Sequence, residues 1–130
     1  MKYMIDIDAT ICSLHIVQTE DGKTDNLYEN AKPYRKRIEH FNKLYDEGHE
    51  IHYWTARGAN SNTVAEKTEL TIQQLKDWSV KFTSFSMGKP AYDVWIDDKA
   101  INSDDYFGDE KSTLKNLETP NSTFFNGKTT

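Results

Sequence analysis

Alternation constrains this sequence more than any other feature. Short apolar runs, at residues 2–7, in "EIHYW" at 50–54, in "KFTSFSM" at 81–87 and in "YDVWI" at 92–96, are separated by longer stretches with a helical stripe. Between the first two runs, Tyr34, Ile38, Phe41 and Leu44 recur at spacings of four, three and three. That pattern gives one apolar helix face, with Pro33 expected in the first turn and Gly48 as the stop. Between the second and third runs, Ile72, Leu75 and Trp78 predict another such face. A chain that alternates strands with helices builds βαβ units around a parallel sheet.

The expected fold is therefore α/β, a Rossmann-like three-layer sandwich with a mainly parallel sheet. Residues 13–30 interrupt the pattern with two short alternating pieces, "SLHIV" and "KTDNLY", around Glu20, Asp21 and Gly22. Asp-Gly between such pieces signals a β-hairpin, read here as a flap and too short to be a cap domain. The core is expected over residues 1–107. Residues 108–130 are expected to add a short helix or tail to the same domain.

Parallel strands share one carboxyl edge, where open α/β sheets bind ligands. Asp6 and Asp8 follow the first apolar run, Thr55 the second, and Asp97 and Asp98 the fourth, while Lys89 lies in the turn before the fourth. Four carboxylates at one edge repel one another, and a hard cation with oxygen ligands, Mg²⁺, is the simplest compensation. A lysine and a threonine hydroxyl beside such a cation describe a place for a phosphoryl group. One carboxylate could attack phosphorus. Asp8, two residues on, could protonate the leaving oxygen and later activate water.

These residues carry a resemblance. Asp6-Ile7-Asp8-Ala9-Thr10 resembles the DxDx[TV] first motif of the haloacid dehalogenase superfamily. Thr55 in "YWTARG" resembles the second motif, Lys89 in "MGKP" the third and "IDD" at 96–98 the fourth. The combination resembles small capless phosphatases often encoded in capsule and surface-polysaccharide gene clusters. The resemblance implies Asp6 as nucleophile and metal ligand, and Asp8 as acid/base and as a ligand through its carbonyl. It implies Asp97 on the metal and Asp98 there directly or through water. Thr55, Lys89 and Arg57 would meet the substrate; for Arg57, pairing with a surface acid is an equal alternative. The expected activity is Mg²⁺-dependent phosphomonoester hydrolysis through an aspartyl-phosphate, on a small phosphorylated metabolite such as a sugar phosphate. A nucleotide or nucleic-acid-end phosphatase, or a non-catalytic phosphate-binding protein of this fold, is the alternative. Ala9 departs from the motif, where many members carry Gly. Ala is tolerated at negative φ and strained otherwise.

Composition excludes other classes. A net charge of −5 argues against a nucleic-acid partner, which needs a basic stripe. Lys32, Arg35, Lys36 and Arg37 read as a solvated helix face. The single cysteine, Cys12, reads as a small buried hydrophobe. No apolar run reaches the ~18–20 residues of a membrane span, and no leader peptide is visible. Together these absences point to the cytoplasm, with homo-oligomerisation left open. The histidines at 15, 40, 49 and 52 lack metal-ligand spacing, and His15 is the one placed to touch substrate. Trp54 and Trp95 read as strand residues in the core.

Overall fold

The structure, a computed structural model, describes residues 1–59 and 63–109. In chain order these form β1 (Lys2–Ile5), β2 (Ile16–Gln18), β3 (Thr24–Asn26), a 3₁₀ turn at Tyr28–Asn30, α1 (Arg35–Asp46), β4 (Glu50–Trp54), α2 (Val64–Asp77), β5 (Ser84–Ser86) and α3 (Ser103–Phe107). The chain divides into two compact units, Met1–Ala91 and Tyr92–Thr130.

In the first unit β1, β4 and β5 make a parallel sheet in that order. Ile5 pairs with Tyr53, and Tyr53 with Phe85. β2 and β3 form a separate antiparallel pair, with Val17 opposite Asp25. The fold is a small α/β arrangement with helices flanking the sheet. It forms because β4 alternates, burying Ile51 and Tyr53 while His52 and Trp54 stay partly accessible. Ile38 and Phe41 of α1 join this core with Ile5, Ile7, Ile11 and Cys12. Backbone caps tie α1 to the end of α2: the Arg35 guanidinium donates to the Trp78 carbonyl at 2.7 and 2.8 Å. The Asn42 amide donates to the Ser79 carbonyl at 2.9 Å and accepts the Lys81 N–H at 2.8 Å.

Several expectations need correction. Pro33 precedes α1 and bridges to Cys12, so Tyr34 is the N-cap. Gly48 does end the helix turn, at φ +97°. Arg37 is buried, donating to the Thr10 carbonyl at 3.2 Å and lying over the Tyr34 ring, so it is no part of a solvated face. In α2, Leu75 and Trp78 are buried as expected, but Ile72 is 49% exposed; Thr71 and Gln74 face inward. The reason is a buried guanidinium, described below, that needs polar partners on this helix face.

The second unit, residues 92–109 as described, contains no strand. The run at 92–96 forms no ladder, and Trp95 and Ile96 are exposed. Apolar alternation shows which residues favour burial, but a strand also needs a partner edge. Tyr92 and Trp95 meet edge to face at 5.0 Å. In α3 the Asn102 side chain accepts the Asp104 N–H at 2.9 Å, and Gly108 closes the helix at φ +59°. Among the described residues no helix is long and apolar enough to cross a membrane. Residues 110–130 lie outside the described residues, so the expected tail at 108–130 is described only at its first two positions.

Candidate functional site

β1 ends at Ile5, and the chain then turns back on itself. The Ile7 carbonyl accepts the N–H groups of Thr10 and Ile11 at 3.1 and 2.9 Å, and Ala9 N–H donates to the Cys12 carbonyl at 2.8 Å. This curl needs a left-handed residue, and Ala9 supplies it at φ +63°. The strained arm of the sequence expectation is the one observed.

Asp6 stands at the end of β1 with its carboxylate 3.7 Å from the Lys89 ammonium. Lys89 reaches it because two backbone bonds gather the strand ends. Thr55 N–H donates to the Ser86 carbonyl, and Lys89 N–H to the Thr55 carbonyl, both at 3.0 Å. Burial pushes the Asp6 carboxyl pKa up, opposed by the Lys89 charge and the Ile7 N–H, and reinforced by the Asp8 charge. The side chain still opens to solvent over 35% of its surface. Surrounding protein on the other sides accounts for the desolvation. A half-enclosed carboxylate facing outward is thus left short of positive charge.

Asp8 is held differently. Arg57 grips it as a fork, Nε to Oδ2 at 3.0 Å and Nη2 to Oδ1 at 2.9 Å. The Cys12 thiol adds a weak contact to Oδ1 at 3.5 Å. Arg57 is buried, and its remaining nitrogen, Nη1, donates to Thr71 Oγ1 at 3.1 Å and Gln74 Oε1 at 2.6 Å. The Tyr28 ring covers the guanidinium at 4.7 Å, and Gln74 Nε2 donates to the Tyr28 carbonyl at 2.7 Å. The expectation for Arg57 is substrate or a surface acid; it pairs instead with Asp8 of the site itself, and its guanidinium is engaged by protein groups.

Thr55 is fully buried, and its hydroxyl accepts the Arg57 N–H at 3.2 Å, a turn that presents Arg57 to Asp8. His15 lies on the hairpin with Nε2 2.9 Å from Ser13 Oγ. Asp97 and Asp98 belong to the second unit. There Asp97 is exposed and accepts the Lys99 N–H at 2.7 Å, which with Asp98 lowers its carboxyl pKa. The structure thus brings together Asp6, Asp8, Thr55, Arg57 and Lys89. Sequence reasoning missed Tyr28, Thr71 and Gln74, which brace Arg57. The legible signal was two polar residues beside Leu75 on the inward face of α2.

The donor chemistry suits a hard cation. Asp6 offers a carboxylate with one cation near it, and the Asp8 carbonyl accepts no hydrogen bond among the described residues. Among the described residues no group of three or more His, Cys, Asp or Glu is placed to hold a metal.

No family model matches the chain, and no curated protein matches it. A solved structure does. It is a crystal structure of a structural-genomics target from Vibrio cholerae, similar at a TM-score of 0.62 and 24% sequence identity over 89% of this chain and 94% of that one. At this identity the likeness shows the fold alone.

Proposed function

We propose that the chain is a Mg²⁺-dependent phosphomonoester hydrolase acting through an aspartyl-phosphate on a small phosphorylated metabolite. One observation carries the reading: Asp6 faces the Lys89 ammonium at 3.7 Å while Asp8, beside it, is clamped by the Arg57 fork. Two carboxylates one residue apart thus sit in unlike settings, and the roles of nucleophile for Asp6 and acid/base for Asp8 are those that the resemblance implies.

In this reading Lys89 holds the phosphoryl oxygens while an Asp6 oxygen attacks phosphorus. The Asp6 O–P bond forms, the bond to the leaving oxygen breaks, and Asp8 gives that oxygen a proton. Asp8 then takes a proton from water as the water attacks phosphorus, and Asp6 is released with free phosphate. To carry the proton, one Asp8 oxygen must release its Arg57 N–H while the other keeps its own, so that Arg57 still orients the group. Asp6 and the Asp8 carbonyl would hold Mg²⁺, which would supply positive charge for the phosphoryl oxygens. The same reading extends the α/β fold to the three-layer, Rossmann-like sandwich that the resemblance implies.

A screen of sugar phosphates, nucleotides and phosphorylated acids, with Mg²⁺ and with EDTA, tests the proposal. Hydrolysis should require the metal and disappear in Asp6→Asn, whose amide cannot attack phosphorus, while circular dichroism stays that of the parent. Undiminished turnover in Asp6→Asn, or in verified metal-free protein, would sink the assignment. A screen positive for nucleotides alone would favour the nucleotide phosphatase instead.

A further inference from the structure

The phosphoryl group is positioned by Asp6 and Lys89, and Asp8 protonates what leaves, so the leaving alcohol departs on the Asp8 side. Three elements meet around the Arg57 guanidinium that holds Asp8. The base of the hairpin contributes Tyr28, whose ring lies 4.7 Å over the Arg57 guanidinium that holds Asp8. The loop after β4 contributes Gly58, and α2 contributes Lys67. The Lys67 ammonium stands 5.4 Å from the centroid of the same Tyr28 ring. A methyl group at Gly58 would meet the Lys67 Cδ at 3.7 Å, so the side-chain stem runs along this loop.

Lys67 lies in the first turn of α2, which begins at Val64. A cation there opposes the helix dipole, which favours acids at that end. The Tyr28 ring is the one local partner that offsets this. Glu66, the acid of that turn, is exposed and one residue away, hence off the Lys67 face of the helix. Among the described residues no carboxylate pairs with the Lys67 ammonium, and the residue is half-buried. Asp8 is held by Arg57, and the Asp25 carboxylate of β3, which keeps its charge while accepting the Asn26 N–H at 2.9 Å, makes no ion pair with Lys67 among the described residues. The result is a cation with no paired acid among the described residues, sharing the Tyr28 ring with the guanidinium that holds Asp8.

We infer that Lys67 recognises a second anionic group, a carboxylate or a phosphate, on the leaving alcohol of the substrate. The inference rests on the phosphatase reading and adds to it the charge of the part that does not react. Interactions with that part are where capless enzymes can gain discrimination. Hydrogen bonds to a charged group are strong enough for an effect of about tenfold.

Matched pairs test it. The purified full chain is assayed on 3-phosphoglycerate against glycerol 3-phosphate, and on fructose 1,6-bisphosphate against fructose 6-phosphate. The parent should prefer the doubly anionic member of at least one pair, and which pair responds tells carboxylate from phosphate. Lys67→Met should lower kcat/KM for that member about tenfold, mainly through KM, leave its neutral partner within about twofold, and be rescued by Lys67→Arg. Equal losses across a pair, or none, would overturn the inference. Should the parent hydrolyse nothing, the phosphatase reading fails separately. Calorimetric binding of the same four compounds then decides, with equal affinities in parent and Lys67→Met counting against Lys67.

Discussion

Ala9 shows how much one backbone angle carries at this site. Its φ of +63° turns the chain directly after Asp8, so that Asp8 can meet Arg57. A non-glycine residue in this region costs roughly 1–2 kcal/mol. Glycine removes that strain but adds freedom to the unfolded chain worth roughly 0.5–1 kcal/mol. Ala9→Gly should therefore stabilise the protein by about 0.5–1 kcal/mol net, seen as a higher urea midpoint at unchanged slope. A lower midpoint would show that the left-handed turn is not strained. The sequence shows alanine where glycine is common in the resembling motif, but φ is set by the turn's hydrogen bonds. Arg57 is a parallel case. Its position two residues past Thr55 was legible, whereas its commitment to Asp8 depends on Thr71, Gln74 and Tyr28, which come from α2 and the hairpin.

At the scale of elements, α2 is where pattern and packing part. Apolar periodicity selects Ile72 with Leu75 and Trp78, yet Ile72 is 49% exposed and Leu75 only 1%. Turning the helix to give Arg57 its polar partners moves Ile72 outward. Leu75→Ala should cost about 2–5 kcal/mol, and Ile72→Ala no more than about 1 kcal/mol, both by urea denaturation monitored through the three tryptophans. Equal costs would restore the face read from the sequence. The hairpin behaves oppositely: its Asp-Gly turn is local, and β2 and β3 form where the turn residues place them, with Gly22 at φ +81°.

For the whole molecule, Cys12 is a natural reporter. It is fully enclosed, its thiol donates weakly to the Ile7 carbonyl, and burial, with the Asp8 charge, pushes its pKa up. The reactive thiolate is scarce and inaccessible while the core stays closed. Alkylation by iodoacetamide at pH 8 should be slower than that of a free cysteine by a factor on the order of a thousand or more, and should accelerate in urea in step with global unfolding. Mass spectrometry of the labelled chain checks this. Rapid labelling without denaturant would mean that the turn at residues 7–12 opens on its own.

By itself the sequence determined the α/β alternation, the parallel order of the first unit's strands, and the positions of Asp6, Asp8, Thr55 and Lys89 near the strand ends. These follow from local periodicity and from the geometry of parallel sheets, both written along the chain. Tertiary structure decided which groups face one another. The Arg57 fork on Asp8, the outward turn of Ile72 and the burial of Arg37 all join residues far apart in sequence. The absence of a ladder at residues 92–96 belongs with them. Each depends on a partner from another element, and a pattern along one segment holds no record of what will stand opposite it.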